Sequence, residues 1–253
     1  MIFFVLISIS FQSMAQLNPI LSGAYHRSDI AVVKSADREG RKFMEGSTPQ
    51  FDYFEIHAST QFKGAVPRPP HAQTDIEELI FVTEGSLKFT MGANNKILGK
   101  GSIILIPPHE MQAIENVGDG PLTYYVIMFR SKKPMDMERS AKAGGPLMLN
   151  GDSVKYVPSA KGGGINYLQR STAMLDTLEA HITELKSKGP SHAPHTHIDT
   201  ELILMLEGEI EIAIKDKTYK AAAGDICLIN GDEMHGISNS QNSACKYLVM
   251  RLK

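Results

Sequence analysis

The chain contains the same pattern twice, and this duplication limits its fold more than any other feature. Phe54-Glu55-Ile56-His57 in the first half matches Leu178-Glu179-Ala180-His181 in the second. Glu78-Leu79-Ile80-Phe81-Val82-Thr83-Glu84-Gly85 matches Glu201-Leu202-Ile203-Leu204-Met205-Leu206-Glu207-Gly208. Gly101-Ser102-Ile103-Ile104-Leu105-Ile106 matches Gly224-Asp225-Ile226-Cys227-Leu228-Ile229, and Glu110-Met111-Gln112 matches Glu233-Met234-His235. Order and spacing hold through both halves, which implies two homologous domains.

Both copies read as β. Leu87, Phe89 and Met91 alternate with Ser86, Lys88 and Thr90; Ile210, Ile212 and Ile214 alternate with Glu209, Glu211 and Ala213. A period of two marks a strand buried on one face. Asn94-Asn95, Asp119-Gly120-Pro121 and Asn230-Gly231 supply turns, so the expected class is all-β, a sandwich or barrel in each half. With 42% hydrophobic residues the chain can build a sizeable core. Its formal charge of -2 and lack of a long Lys/Arg run argue against nucleic-acid binding.

The ends of the repeats set the expected domains. Residues 1–15 carry an apolar run from Ile2 to Ile9 and then Ser13-Met14-Ala15, which resembles a secretory signal peptide cut before Gln16, although no Lys or Arg follows Met1. That run is too short to span a bilayer, so the expected location is periplasmic or secreted, with no membrane association after cleavage. Residues 16–48 read as an N-terminal arm, with Ile30-Ala31-Val32-Val33 able to add a strand to a sheet edge. Residues 49–131 form the first repeat and 172–253 the second. Between them, 132–171 holds Pro134, Gly144-Gly145-Pro146 and Gly162-Gly163-Gly164 and reads as a connector with a short helical turn near Met137 to Lys142. Cys227 and Cys245 are the only cysteines; Cys227 lies in an apolar run, which favours a reduced, packed thiol over a bridge.

The second repeat concentrates metal-binding chemistry. His195, His197 and Glu201 are all odd-numbered, so a continuous strand would project them on one face, and a neighbouring strand could bring His235 to the same point. Two imidazoles and a carboxylate on one face suit a divalent first-row metal. His195-Thr196-His197, three residues, Glu201, six residues and Gly208, followed by Gly224 and His235 with Asn239 four residues later, resemble the two motifs of the cupin family. Asn230 and Asp232 replace that family's Pro and second Gly, a change confined to a turn. The resemblance covers roughly 172–253, with a weaker copy over roughly 50–131. It implies two tandem jelly-roll barrels, a bicupin, with His195, His197, Glu201 and His235 holding one divalent transition metal: Mn, Fe, Ni, Co or Zn. His192 reads as a solvent-exposed loop residue rather than a fifth ligand.

The first repeat is altered at the same positions. It offers His71, Gln73, Glu78 and Gln112, two of them amides, which are weaker donors to softer metals. Glu78 has the opposite parity to His71 and Gln73, so a regular strand would turn it to the other face unless a bulge intervenes. The expectation is a barrel without metal, serving as a structural partner; a weaker or different site built from those four residues is the alternative. His109 lies on the adjacent turn, where the family usually has Gly, and reads as a turn-surface residue.

Glu55-x-His57 and Glu179-x-His181 recur at equivalent places. They read as a face at a domain or subunit boundary, or, for Glu179 and His181, as proton-transfer or substrate groups beside the metal. Barrels resembling this one include dioxygenases, decarboxylases, isomerases, lyases and aminohydrolases. The leading expectation is a metal-dependent enzyme acting on a small oxygenated molecule (a phenolic, a carboxylic acid or a sugar derivative) by oxygen-dependent cleavage. The alternatives are redox-neutral chemistry of the other kinds, or a non-catalytic small-molecule-binding protein. Leu202, Leu204 and Leu206 lie opposite Glu201, so that strand is expected to be buried on both sides; the resemblance to bicupins implies that the two barrels pack together and that the chain could form a homodimer.

Overall fold

The structure, a computed structural model, describes residues 17–253. The expected signal segment 1–15 and its cleavage point at Gln16 lie outside the described residues. Almost every element is a strand, as the alternation of the sequence implies, and the longest helix among the described residues is Met137–Lys142, in the connector. Asp136 caps it by accepting a hydrogen bond from the Arg139 amide at 2.8 Å. No helix among the described residues is long and apolar enough to cross a membrane.

Each half is a seven-stranded antiparallel sheet facing a smaller one. In the second half, the central strand Thr200–Glu207 lies between Ile226–Ile229 and Cys245–Leu252, followed outward by Leu178–Leu185, Gly162–Arg170 and Tyr156–Pro158. In the first, Glu77–Glu84 lies between Ile103–Ile106 and Leu122–Ser131, followed by Phe51–Gln61, Arg38–Gly46 and Val33–Lys34. The smaller sheets are Gly189–Pro190, His235–Asn239, Glu209–Ile214 and Lys217–Ala222 in one half, and Asn94–Leu98, Leu87–Met91 and Gln112–Asn116 in the other.

The sheets extend past the limits of the repeat. The stretch 16–48 is more than an arm: Arg38–Gly46 pairs with Phe51–Gln61 along most of its length. Of the run Ile30–Val33 only Val33 enters a strand, with Lys34, at the edge of that sheet. Likewise 132–171 is more than a connector, because Gly162–Arg170 pairs with Leu178–Leu185. Two short strands cross over. Gly23–Tyr25, from the first half, covers the outer edge of Ile226–Ile229 in the second sheet. Leu147–Leu149, from the connector, covers Ile103–Ile106 in the first. Each sheet thus has one edge closed by a strand from outside its own repeat, which removes exposed backbone groups.

The cores explain the doubly apolar central strands. Ile203 and Met205 pack inside the second barrel with Ile210, Ile212 and both cysteines. Ile80 and Val82 do the same in the first, against Leu87 and Phe89. The opposite faces meet in a shared core: Leu79 and Phe81 join Leu202, Leu204, Leu248 and Met250. Leu206 packs on its margin. At roughly 2 kcal/mol for each fully buried Leu, this seam contributes heavily to stability. Cys227 and Cys245 are free and buried, and burial pushes the Cys227 thiol up to about 12, which leaves it a packing group rather than a nucleophile.

The seam also carries reciprocal polar clasps. Thr200, at the start of the second central strand, gives its amide and hydroxyl to Gln50 Oε1 at 2.9 and 2.7 Å. Glu77, at the matching place in the first, accepts from the Thr172 hydroxyl at 2.6 Å and the Met174 amide at 2.9 Å.

Candidate metal centre

The four residues that could hold a metal in the second half are placed by strands, a bridge and a loop. Glu201 is the second residue of the central strand. His235 opens the strand His235–Asn239. His195 is held opposite His235 by a double backbone bridge, with each amide donating to the other's carbonyl at 2.9 Å. His197 follows in an irregular loop, and a bend at Ile198 and Asp199 separates it from the strand. The expectation of a single continuous strand carrying His195, His197 and Glu201 is therefore corrected: they converge through a bridge and a bend. Gly231 makes this approach feasible, since a Cβ there would lie 2.2 Å from the Ile198 carbonyl oxygen. Asp232, with φ of 65°, takes the left-handed turn in place of glycine and donates its amide to the His197 carbonyl.

The four side chains meet. One ligand atom from each of His195, His197, Glu201 and His235 lies within 4.8 Å of all the others, forming a group that could hold a metal ion. Glu201 Oε2 lies 2.8 Å from His197 Nε2 and 3.5 Å from His235 Nε2. Burial alone would raise the Glu201 pKa, but the hydrogen bond with His197 and the His235 imidazole 3.5 Å away outweigh it and hold the group at about 2, so it is a carboxylate at neutral pH. Burial, then the neighbouring imidazoles, lowers the His195 pKa, which favours the neutral ring with one nitrogen lone pair free. His235 Nδ1 is 2.8 Å from the Glu233 carbonyl and His197 Nδ1 is 3.2 Å from that of Asp199, so in both rings Nε2 is left for the centre. His195 Nδ1 and His235 Nε2 are buried without hydrogen-bond partners. Buried polar atoms without partners are uncommon. Two of them beside one carboxylate fit a dication.

A cavity of about 440 Å³ opens onto His195 and Glu201. Glu179 and His181 line it, 3.1 Å apart at Oε1 and Nδ1. Tyr247, Val249 and Arg251 line it from the C-terminal strand, facing alternately inward as a period of two requires. The same alternation is visible in the sequence as Tyr247-Leu248-Val249-Met250-Arg251. Arg251 pairs with Asp199 at 2.5 Å and with Glu179 at 3.5 Å, tying the proton-transfer candidates to the loop that carries His197. His192 lies outside the four-residue group, exposed, with its ring edge-on to His195 at 4.5 Å. A larger cavity, about 690 Å³, lies between the two halves and is lined by none of the four residues. Chemistry rather than size selects the smaller one.

In the first half the same backbone carries different donors. His71 and Gln112 form the matching double bridge, at 3.0 and 2.8 Å. Glu78 does not turn away as its parity suggested: the chain bends at Thr74 and Asp75, and Glu78, His71, Gln73 and Gln112 line one cavity of about 180 Å³. No bulge is required. Gln112 Nε2 donates to Glu78 Oε2 at 2.9 Å. His109 has φ of 72° and is exposed on the turn, outside that cavity. Glu55 and His57 repeat the dyad of the second half at 2.7 Å.

Comparison with known proteins agrees with this architecture. The family model described as "Cupin domain" matches residues 61–128 and again 181–251, more than half of the chain. The chain belongs to the cupin family. No curated protein matches its sequence significantly. Among solved structures, AerE from Microcystis aeruginosa shares 14% identity with this cupin, covering 88% of this chain and 97% of that one at a TM-score of 0.68. Ylba from E. coli shares 14%, with coverage of 91% and 90% and a TM-score of 0.69. The oxalate decarboxylase of Lactobacillus farciminis, described as a formate complex, shares 12%, with coverage of 96% and 88% and a TM-score of 0.70. These likenesses establish the fold, two cupin jelly rolls in tandem.

Proposed function

We propose that the second barrel binds one divalent transition metal through His195, His197, Glu201 and His235, and that the protein is a metal-dependent enzyme acting on a small oxygenated molecule. The reading rests on one observation, the meeting of four ligand atoms within 4.8 Å. A bound ion would supply Lewis acidity and an anchor for substrate oxygens. The mixed imidazole and carboxylate set suits Mn, Fe, Co, Ni or Zn.

The chain's own groups shape the rest of the chemistry. Glu179 Oε1 lies 3.1 Å from His181 Nδ1, which leaves the other ring nitrogen to exchange a proton with substrate. Thr183, Ser191 and Tyr247 offer hydroxyls along the same cavity. Arg251 holds Glu179 and Asp199 in place and gives the cavity wall a positive charge. A carboxylic acid, a phenolic or a sugar derivative fits such a lining. Oxygen-dependent cleavage remains the leading reaction subclass. Redox-neutral chemistry such as decarboxylation or isomerisation is the second reading, favoured by the Glu179–His181 pair, a built proton-transfer device. Export to the periplasm or beyond belongs to the same proposal, supported by the composition of residues 1–15, and mass spectrometry of the mature N-terminus tests it.

Elemental analysis of the purified protein is the first test, with close to one transition-metal ion per chain expected. Turnover is then followed over a panel of small acids, phenols and sugar acids, with and without oxygen. A metal content near zero after purification without chelators would remove the basis of the proposal. Metal binding without turnover of any panel member would leave a binding protein instead.

A further inference from the structure

The cavity of about 690 Å³ between the two halves lies apart from the metal centre and has the size of a small-molecule pocket. Both halves wall it. Phe81 and Tyr125, directly opposite each other on neighbouring strands, come from the first sheet. Ile165, Tyr167, Ile182 and Leu206 come from the second. Tyr167 stands edge-on to Phe81, with ring centroids 6.1 Å apart. Two reciprocal bonds fix these walls: the Tyr125 hydroxyl donates to the Gly224 carbonyl at 3.0 Å, and the Tyr167 hydroxyl to the Gly101 carbonyl at 2.7 Å. Burial raises both phenols, Tyr167 to about 12, so both stay protonated as donors.

The cavity is unsymmetrical in charge. Tyr25 pairs with Ile226 and Leu149 with Ile103, so Arg27 and Gly151, each two residues further on, hold matching places. Gly151 admits no side chain, since a Cβ there would lie 2.4 Å from the Lys100 carbonyl oxygen. Arg27 is half-buried against Gly224, and its Nη1 donates to the Tyr125 hydroxyl at 3.1 Å. That is its one side-chain hydrogen bond among the described residues. The nearby Asp225 carboxylate is occupied by the Arg27 and Ala222 amides and by His26. Lys246 already pairs with Glu207 at 3.5 Å. Glu84, Lys100 and Asp152 are exposed at the rim, where solvent and salt screen them. The cavity therefore holds a half-buried guanidinium with N–H groups to spare, beside aromatic rings. Such a fork pairs with a carboxylate, and the rings favour a flat apolar body.

We propose that the cavity between the barrels binds an aromatic monocarboxylic acid, with its carboxylate on Arg27 and its ring along Tyr125 and Phe81. The site needs no metal and does not depend on the reading of the second barrel.

Calorimetric titration of the purified full-length protein with benzoate and 2-naphthoate tests this, with octanoate and the neutral 2-naphthalenemethanol as controls. Saturable one-to-one binding is expected for at least one of the two aromatic acids. The matching neutral alcohol and the aliphatic acid should each bind about tenfold or more weaker, the scale of one charge-assisted contact. Arg27→Met should weaken the aromatic acid about tenfold or more and leave the alcohol unchanged, which also shows that the variant is folded. Leu206→Trp, on the margin of the seam, should fill the cavity and weaken acid and alcohol alike. Binding should persist in excess chelator and in His195→Ala. Failure of both aromatic acids to saturate the protein, equal affinity in Arg27→Met, octanoate or the alcohol binding as tightly as the aromatic acid, or loss of binding with chelator would each overturn the proposal. None of these outcomes bears on whether the second barrel holds a metal.

Discussion

The two barrels have one backbone plan and two chemistries. Both place a histidine in a two-bond bridge with the first residue of the matching strand, and both bring a buried glutamate to that bridge. In the second, the glutamate meets imidazoles at His197 and His235; in the first, the same places hold Gln73 and Gln112. An imidazole nitrogen donates a lone pair to a metal, whereas an amide next to a carboxylate satisfies it with an N–H. With the backbone bridge preserved, different side chains at these two places accompany a cluster that could hold a cation in one barrel and a hydrogen-bonded cavity in the other. Fold and metal chemistry are separable here because backbone pairing sets where the side chains meet, and their donor type sets what they hold.

Five experiments would break or sharpen that contrast. The largest effect is expected from His195→Ala or His235→Ala, which should abolish stoichiometric metal binding, while His71→Ala leaves metal content unchanged; elemental analysis of the three variants decides. Next, His181→Ala should lower turnover of any substrate found by roughly 10²–10⁴-fold, the usual contribution of a positioned acid or base, with metal content intact. His57→Ala should leave turnover unaffected. Equal loss in both variants would mean that the dyads act structurally.

Leu204→Ala opens the seam shared by the barrels and should cost about 2–5 kcal/mol in denaturant unfolding. Because Leu204 lies on the face away from the ligands, metal stoichiometry should be unaltered in the folded fraction. In the other direction, Gln73→His combined with Gln112→His should raise metal content from about one to about two ions per chain. If the ratio stays at one, the first barrel differs from the second in more than its donors.

The smallest effect concerns Glu77, whose counterpart in the second barrel is Thr200. Burial raises the Glu77 pKa despite bonds from Thr172 and Met174 that lower it. The folded state therefore holds this proton more tightly than the unfolded chain. That stabilisation is complete below the unfolded pKa and is lost as pH rises toward the folded one. Glu77→Gln should accordingly melt about 2–4 °C above the parent near pH 7.5, equivalent to about 1 kcal/mol in a chain of this size. The advantage should fade as the pH falls towards 4. A lower melting temperature at neutral pH would show that the charge itself is needed at the seam.

The duplication, the all-β class and the four residues that meet as a candidate metal centre were legible in the sequence, because each is written in residue identity and short-range spacing. Leu202 and Leu204 also announced a second buried face, though not what covers it. Parity arguments served less well. They brought His195, His197 and Glu201 together for the wrong reason and turned Glu78 away, because they assumed straight strands where the chain bends at residues 74–75 and 198–199. Arg251 was missed although its alternation with Val249 and Tyr247 was visible, since an arginine near a chain end carries no motif of its own.

By itself, the sequence determined that there would be two β domains and which of them had the side chains for a metal. Tertiary structure alone decided that Gly23–Tyr25 completes the second half's sheet and Leu147–Leu149 the first half's, that the leucine faces meet within one chain, and that Glu78 is buried with one oxygen unsatisfied. The division has a physical cause. Periodicity and donor type are properties of neighbouring residues, while edge pairing and the satisfaction of buried polar groups depend on which distant segments the closed chain brings within hydrogen-bonding distance.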